Sequence, residues 1–249
     1  MQKIMIDGVD FRELMSWMNN PQEIDEEEYQ KWRTARKSYV PKPRTDVYLR
    51  GNDFQSYMKC ARRLWFNCHV PELKKSMITK SIFGAVKRHE EIEKHLKEKG
   101  WKTEFFCKGD VQVGERKIYG TGHIDGLSPS NTILDIKGKW QPSDGDKLQT
   151  AFYQLLLRPL STDIVLLYPT QINYFGNFEK LIRMYIPRVY ACVALDVKPP
   201  RHPSYPNCYY NCEYYKECGR SRKPPKKLPH LEWNDWFKET GALIAGEQK

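Results

Sequence analysis

The chain has 249 residues, a formal net charge of +10 and a pI near 9.1, with hydrophobic residues at 40% and aromatics at 13%. That is enough apolar chain for one sizeable core, and the positive balance favours a polyanionic partner whose counterions Lys and Arg would release. The absence of any run of about 18 apolar residues excludes a membrane-spanning helix, and the opening M-Q-K-I-M-I-D-G lacks the apolar centre of a signal peptide.

Residues 1–45 carry eight basic and eight acidic side chains, so the excess charge lies beyond them. They are expected to form an accessory helical segment, with a short helix over 11–18 and a charged one over 23–37. The main domain is expected over 46–220. It opens with a helix over 52–66, capped by Asn52 or Asp53, whose Phe54, Tyr57, Met58 and Leu64 make apolar contacts. A second helix over 78–99 carries His89, with Glu93 one turn on along the same face, and stops at Gly100.

Strands are expected over 103–107, 111–113, 117–125 and 132–137. The S-P-S-N at 128–131 joins the last two as a hairpin, which would set Asp125 beside Asp135. Residues 148–157 read as a helix with Leu148, Phe152, Leu155 and Leu156 on one face and Gln149 and Tyr153 on another. Further strands are expected over 163–168, 172–175 and 180–186, then a helix starting at Pro187 and ending near 197. A cysteine-rich stretch follows. Residues 221–249 read as a basic linker and a terminal helix, with Arg220, Arg222, Lys223, Lys226 and Lys227 as a patch suited to phosphate. The order implies an α/β protein with one mixed, buried sheet flanked by helices.

The chemistry concentrates in G-H-I-D ending at Asp125, L-D-I-K ending at Lys137, and Q-T-A-F-Y from Gln149 to Tyr153. Two carboxylates on adjacent strands can hold Mg²⁺ or Mn²⁺ and so activate a water against a phosphodiester. The Ile136 backbone carbonyl and the His89 imidazole are further candidate ligands, and the imidazole tilts preference towards Mn²⁺. Lys137 lies two residues after Asp135, hence on the same side of the strand. Its ammonium would orient the attacking water or stabilise developing negative charge. Gln149 and Tyr153 can present polar groups to a substrate beside them.

This ordered set resembles the RecB-like branch of the PD-(D/E)xK nuclease superfamily over about residues 50–220. Here Asp135 stands where many relatives carry glutamate. The resemblance implies a restriction-endonuclease-like sheet, with metal at His89, Asp125 and Asp135 and a catalytic Lys137. Gln149 and Tyr153 would position DNA or the lysine. It further implies a metal-dependent deoxyribonuclease, an exonuclease rather than an endonuclease, acting on single strands or ends in recombination, repair, viral DNA processing or CRISPR adaptation. Two other roles stay open: a DNA-binding scaffold subunit and a double-strand endonuclease. No G-x-x-x-x-G-K-[ST] loop occurs, so any unwinding would need a partner such as a helicase. A recombinase or integrase is an alternative associate.

Seven cysteines in a chain without an export signal point to a reducing compartment, cytoplasmic or, for a viral protein, the host cytoplasm. Cys208, Cys212 and Cys218 lie close enough in sequence to share a metal, either zinc or a 4Fe-4S cluster, each needing a fourth ligand. The residues leave Cys60 and Cys68 open for it, with His202 and His230 as alternatives for zinc; resemblance to iron–sulfur nucleases of the RecB-like group implies Cys60, with the cluster clipping the two ends of the domain together. Three residues separate the first two cysteines of the trio, where many relatives have two. Arg62 and Arg63, beside Cys60, are candidates for phosphate or for pairing with cluster charge.

Overall fold

The chain in a computed structural model runs through β1 (Met5–Ile6), β2 (Val9–Asp10), α1 (Phe11–Asn19), α2 (Glu26–Ser38), β3 (Tyr48–Arg50), α3 (Gly51–Lys59) and α4 (Ala61–His69). It continues through α5 (Lys80–Glu98), β4 (Lys102–Val113), β5 (Arg116–Leu127), β6 (Ile133–Ile136), α6 (Asp144–Leu156), β7 (Ile164–Leu167), β8 (Ile172–Phe175) and α7 (Glu179–Ala194). The structure describes residues 5–21, 23–73, 78–160, 163–176, 178–200, 212, 214, 217 and 218. Among them no helix is long and apolar enough to cross a membrane.

Six strands form one mixed sheet in the order β3-β5-β6-β7-β8, with β4 paired to β5. The β4–β5 hairpin is antiparallel along its whole length, and Gly114, at φ +58, supplies the left-handed residue its turn needs. β5 pairs antiparallel with β6, β6 runs parallel to β7, and β3 runs parallel to β5. The central strands β6 and β7 are buried at every position, as expected where both faces are covered.

One face of the sheet packs on α3, α6 and α7 through Phe54, Phe152, Ile124, Ile182, Ile186 and Val189. The other is covered over β6–β8 by α1 and α5, whose Phe11, Leu14, Ile92 and Leu96 meet Leu134, Ile136, Val165 and Leu167. Thus residues of the first helix, in a segment expected to be accessory, contribute to a core shared with the central strands.

Three expectations are corrected. The strands over 103–107 and 111–113 are one strand, β4, because its pairing with β5 runs unbroken through Lys108–Asp110. The helix over 52–66 is two helices, because Cys60 adopts an extended backbone (φ −174°, ψ 123°) between α3 and α4. The strand over 180–186 and the helix from Pro187 are one helix, α7, with Pro187 inside it. Its run Leu181–Ile186 suits either period locally. Ile182, Ile186, Val189 and Val193 then share one buried stripe at helical spacing, and burying that stripe decides the outcome.

Candidate active site

The site opens at a gap in the sheet. One edge of β5 is taken throughout by β4, and the other is shared by β3 at Tyr119–Thr121 and by β6 at Gly126–Leu127. Residues 122–125 lie between those two pairings. The strand also changes phase there. Ile124 packs in the core on the α6 side, whereas Gly126 faces Leu96, Trp101 and Leu134 on the opposite side. Facing Asp125 in register is Glu104, between the paired Thr103 and Phe105, held at φ +46. A left-handed glutamate inside a strand costs on the order of 1–3 kcal/mol, and such distortions serve to re-aim side chains.

The re-aimed Asp125 meets three partners. Its Oδ2 accepts a 2.6 Å hydrogen bond from the Ile136 N–H and lies 3.3 Å from His89 Nε2. N–H and C=O of a strand residue point to the same edge, so the Ile136 carbonyl is directed to this side as well. The other ring nitrogen, His89 Nδ1, lies 2.6 Å from Glu93 Oε1. His89, Glu93 and Glu104 together bring ligand atoms within 4.8 Å of one another. Glu93 therefore fixes the ring, leaving Nε2 to face the carboxylates.

Asp135 is buried beside Asp125, and Lys137 Nζ lies 2.6 Å from its Oδ2. That ammonium is shared with Gln149 Oε1, and the same carboxyl group also faces the Asp125 carboxylate. Burial, with the neighbouring Asp125 charge adding to it against the pull of Lys137, pushes Asp135 up to about 7. Burial also opposes ionisation of Asp125, but His89, Lys137 and the Ile136 N–H outweigh it and hold that carboxyl low. His89 is pushed up to about 9: burial works against its charge, and Asp125 and Glu93 overcome it. Lys137 is likewise raised despite burial, by Asp135 and Asp125, so it is a cation here. Two crowded carboxylates and a histidine nitrogen aimed at them form a donor set that fits a hard divalent cation.

Behind the lysine stands a polar chain. Lys137 Nζ donates to Gln149 Oε1 at 2.8 Å, and Gln149 Nε2 donates to Asn52 Oδ1 at 2.6 Å and to Tyr153 Oη at 2.7 Å. The amide thereby takes its orientation from α3 as well as α6. The Tyr153 ring lies over two glycines. A Cβ at Gly122 would come within 2.4 Å of it, and one at Gly51 within 2.1 Å. The G of G-H-I-D is thus a packing requirement of the tyrosine in Q-T-A-F-Y.

All seven residues expected at the site, His89, Asp125, Asp135, Ile136, Lys137, Gln149 and Tyr153, line one cleft of about 960 Å³. Asn52, Glu93 and Glu104 join them as partners. Asn52 was expected as a helix cap, and Glu93 was visible only as the residue one turn from His89. Arg50, Phe106 and Tyr119 on the cleft wall carry no signal in the sequence, since each is an ordinary outward strand position.

Arg62 and Arg63 are not among the cleft residues. Arg62 Nε donates to Pro199 O at 2.5 Å, and its Nη1 lies 3.7 Å from Cys218 Sγ. Cys212 and Cys218 pack by Trp65, Phe66 and Tyr214, with Tyr214 stacked on Phe66 at 4.9 Å. Cys218 therefore packs on α4, whereas Cys60, which precedes that helix, lies near Cys192 of α7. His202, Cys208, Arg220, Arg222, Lys223 and His230 lie outside the described residues.

No family model matches the chain, and no curated protein matches it by sequence. Among solved structures it is similar to SSO0001, at 18% identity and a TM-score of 0.53, over 79% of this chain and 96% of that one. A second similar structure is a protein from Eubacterium rectale named as a candidate exonuclease, at 14% identity and a TM-score of 0.37, covering 85% of this chain and 98% of that one. At 18% identity the likeness to SSO0001 is one of fold: a mixed α/β core with a central sheet flanked by helices.

Proposed function

We propose that this chain is a divalent-metal-dependent deoxyribonuclease of the RecB-like kind, acting on single-stranded DNA or DNA ends. The observation that carries the reading is the apposition of Asp125 and buried Asp135, with the Lys137 cation 2.6 Å from Asp135 Oδ2. Asp125, Asp135, His89 Nε2 and the Ile136 carbonyl would hold Mg²⁺ or Mn²⁺. Bound there, the cation would supply a water of lowered pKa and neutralise charge at the phosphorus.

The chain's own groups do the rest. Asp135 and Asp125 need to be ionised together, which metal-free burial disfavours. Lys137, a cation fixed by Gln149 Oε1, donates hydrogen bonds to the attacking water or to a non-bridging phosphate oxygen. Gln149 and Tyr153 hold that ammonium in place. Glu93 keeps the proton on His89 Nδ1, so that Nε2 carries the lone pair.

We further assign a 4Fe-4S cluster, with zinc as the alternative, to Cys60, Cys208, Cys212 and Cys218. Support comes from the thiol-rich donor set and from Cys212 and Cys218 packing on α4, the helix that Cys60 precedes. Iron or zinc stoichiometry and visible absorbance of the purified protein discriminate the two. Partners of the helicase, recombinase or integrase type, and a role in recombination, repair or CRISPR adaptation, belong to the same reading.

The deciding test is cleavage of end-labelled single- and double-stranded DNA with Mg²⁺ or Mn²⁺, comparing wild type with Asp135→Asn and Lys137→Ala. Cleavage lost in both variants supports the assignment. Cleavage that persists in both removes it.

A further inference from the structure

The sheet is covered on both sides over β6–β8, but not everywhere. On the side of α1 and α5, the stretch made of β3, the first half of β5 and the paired part of β4 faces solvent. Along β5 the outward residues are Tyr119, Thr121 and His123, and the next outward residue is Asp125. β4 sets Phe106 opposite His123 and Lys108 opposite Thr121, while β3 sets Tyr48 opposite Tyr119 and Arg50 opposite Thr121. Phe106 is 48% exposed and Tyr119 43%, both large rings left in water on the wall of the cleft. At about 3.3 Å per residue, His123 stands roughly 7 Å from Asp125 along the strand and Tyr119 roughly 20 Å.

Three features say what this face takes. First, its apolar groups are flat rings separated by polar and basic side chains rather than a contiguous aliphatic patch, an arrangement on which bases can stack one at a time. Phe106 lies 5.1 Å from the His123 ring, tilted by 50°, so one face of the phenyl is open. Second, the cations are planar and preset. Arg50, exposed on the cleft wall, lies over the Tyr48 ring at 4.7 Å; the second guanidinium at that ring, Arg44 at 5.6 Å, is paired with buried Asp53. Third, the face runs without interruption into the carboxylates. Asp46, Glu104 and Asp110 also border it, so phosphate attraction alone would not favour it. The rings distinguish it, and stacking on rings requires bases whose π-faces are available, which a duplex does not offer.

We propose that this open sheet face is a base-stacking platform for single-stranded nucleic acid, with Phe106 and Tyr119 as its stacking surfaces and Arg50 as a backbone contact. A strand whose scissile phosphate lies at Asp125 and Asp135 sends its flanking bases over His123 and Phe106, then Tyr119. The proposal deepens the phosphodiesterase reading and rests on it for the position of that phosphate. The ring pair itself requires only that a single strand binds.

The test is binding, read by fluorescence anisotropy in EDTA, of a labelled single-stranded oligonucleotide, its blunt duplex, and an abasic strand of equal length. Phe106→Ala and Tyr119→Ala should each weaken single-strand binding about five- to a hundredfold, the range for loss of one base–aromatic stack. The abasic strand and the duplex should bind both variants as they bind wild type. Phe106→Leu keeps the apolar bulk and should still lose binding, whereas Phe106→Trp and Tyr119→Phe should restore it. Both side chains are half exposed, so unchanged melting temperatures are expected, and the Trp and Phe variants carry the comparison should an alanine variant unfold.

Equal single-strand affinity in wild type and the variants overturns the platform. So does an abasic strand bound as tightly as the base-bearing one, or a Phe106→Leu protein that binds normally. Failure of the nuclease reading looks different: ring-dependent binding persists, but no Mg²⁺- or Mn²⁺-dependent cleavage follows.

Discussion

Two buried aspartates in this fold invite comparison, because they are similarly inaccessible and oppositely treated. Asp146, at the start of α6, accepts hydrogen bonds from Gln55 Nε2 (2.9 Å), Tyr168 Oη (2.9 Å), and the Ser143 N–H and hydroxyl (3.0 Å each), with Lys139 Nζ at 2.6 Å. Burial opposes its ionisation, yet Lys139 and Gln55 hold the carboxyl down to about 2. Asp135, about 2% exposed, is pushed up to about 7, with the Lys137 ammonium and the Asp125 carboxylate against it. A carboxylate whose oxygens are saturated by protein donors is a structural fastener joining α6 to α3 and to Tyr168 after β7. One buried beside a second carboxylate, which raises its pKa, is held ready for a cation.

The largest expected effect tests the fastener. Asp146→Ala should destabilise the fold by about 3–5 kcal/mol, since it strips partners from buried Tyr168 and Gln55 and from the α6 cap. Denaturant unfolding measures this, and activity per folded molecule should be nearly unchanged at low temperature. A loss of activity without a loss of stability would erase the distinction between the two acids.

Asp135→Asn should do the reverse. Cleavage should fall at least about a hundredfold, while metal-free stability rises near neutral pH. The sign follows from linkage. The folded-state pKa of Asp135 lies above its unfolded value of 3.8, so its contribution favours the fold below that value and is lost as pH rises to about 7. Asp146, shifted down, contributes above 3.8 and is lost as pH falls towards about 2. Melting temperatures of metal-free wild type and Asp135→Asn should therefore converge near pH 4 and separate by pH 7. Saturating Mn²⁺ should raise the wild-type value by several degrees and leave the variant unmoved.

Much of the candidate site was legible because its chemistry lies in short motifs. Asp125 and Asp135 are joined by one tight turn, and Gln149 and Tyr153 share a helix face. The fastener was not legible, for its partners Gln55, Lys139 and Tyr168 come from three distant segments and none has unusual spacing. The break at Cys60 carries no Gly or Pro to announce it. In α7, the Leu181–Ile186 run has strand-like composition and Pro187 resembles a first-turn proline, and tertiary burial of the Ile182 stripe overrides both signals. The phase change at Asp125 depends on Glu104 in the facing strand, a through-space cause with no local signature.

A smaller effect probes how the ready site is kept aligned. Glu93→Gln retains a hydrogen-bond acceptor for His89 Nδ1 but removes the charge. Apparent Mn²⁺ affinity should weaken about 10- to 100-fold, with kcat recovering at high Mn²⁺. Because the metal-free imidazole titrates near 9, cation binding at Nε2 must displace a proton, so affinity in the wild type should rise with pH from about 6 to 9. With the Glu93 charge gone, that titration should move to lower pH. A variant with unchanged metal affinity and an unchanged pH profile would mean that Glu93 packs beside the site without orienting it.

The smallest effect concerns the ring that backs the lysine. Gly122→Ala places a methyl within 2.4 Å of the Tyr153 ring, on a strand too well paired with β4 to move away. The tyrosine must tilt, at about 1–3 kcal/mol of overpacking, and Gln149 loses its Oη partner. Stability should fall modestly, while kcat falls more than KM rises, because Lys137 loses its fixed direction rather than its substrate. Tyr153→Phe in the same background should restore little of the packing, since the clash is with the ring and not the hydroxyl, whereas Tyr153→Leu should relieve it. That pairing separates the ring's steric place in the sheet gap from the hydroxyl's place in the polar chain behind Lys137. Only the second belongs with Asp135 on the ready side of the comparison.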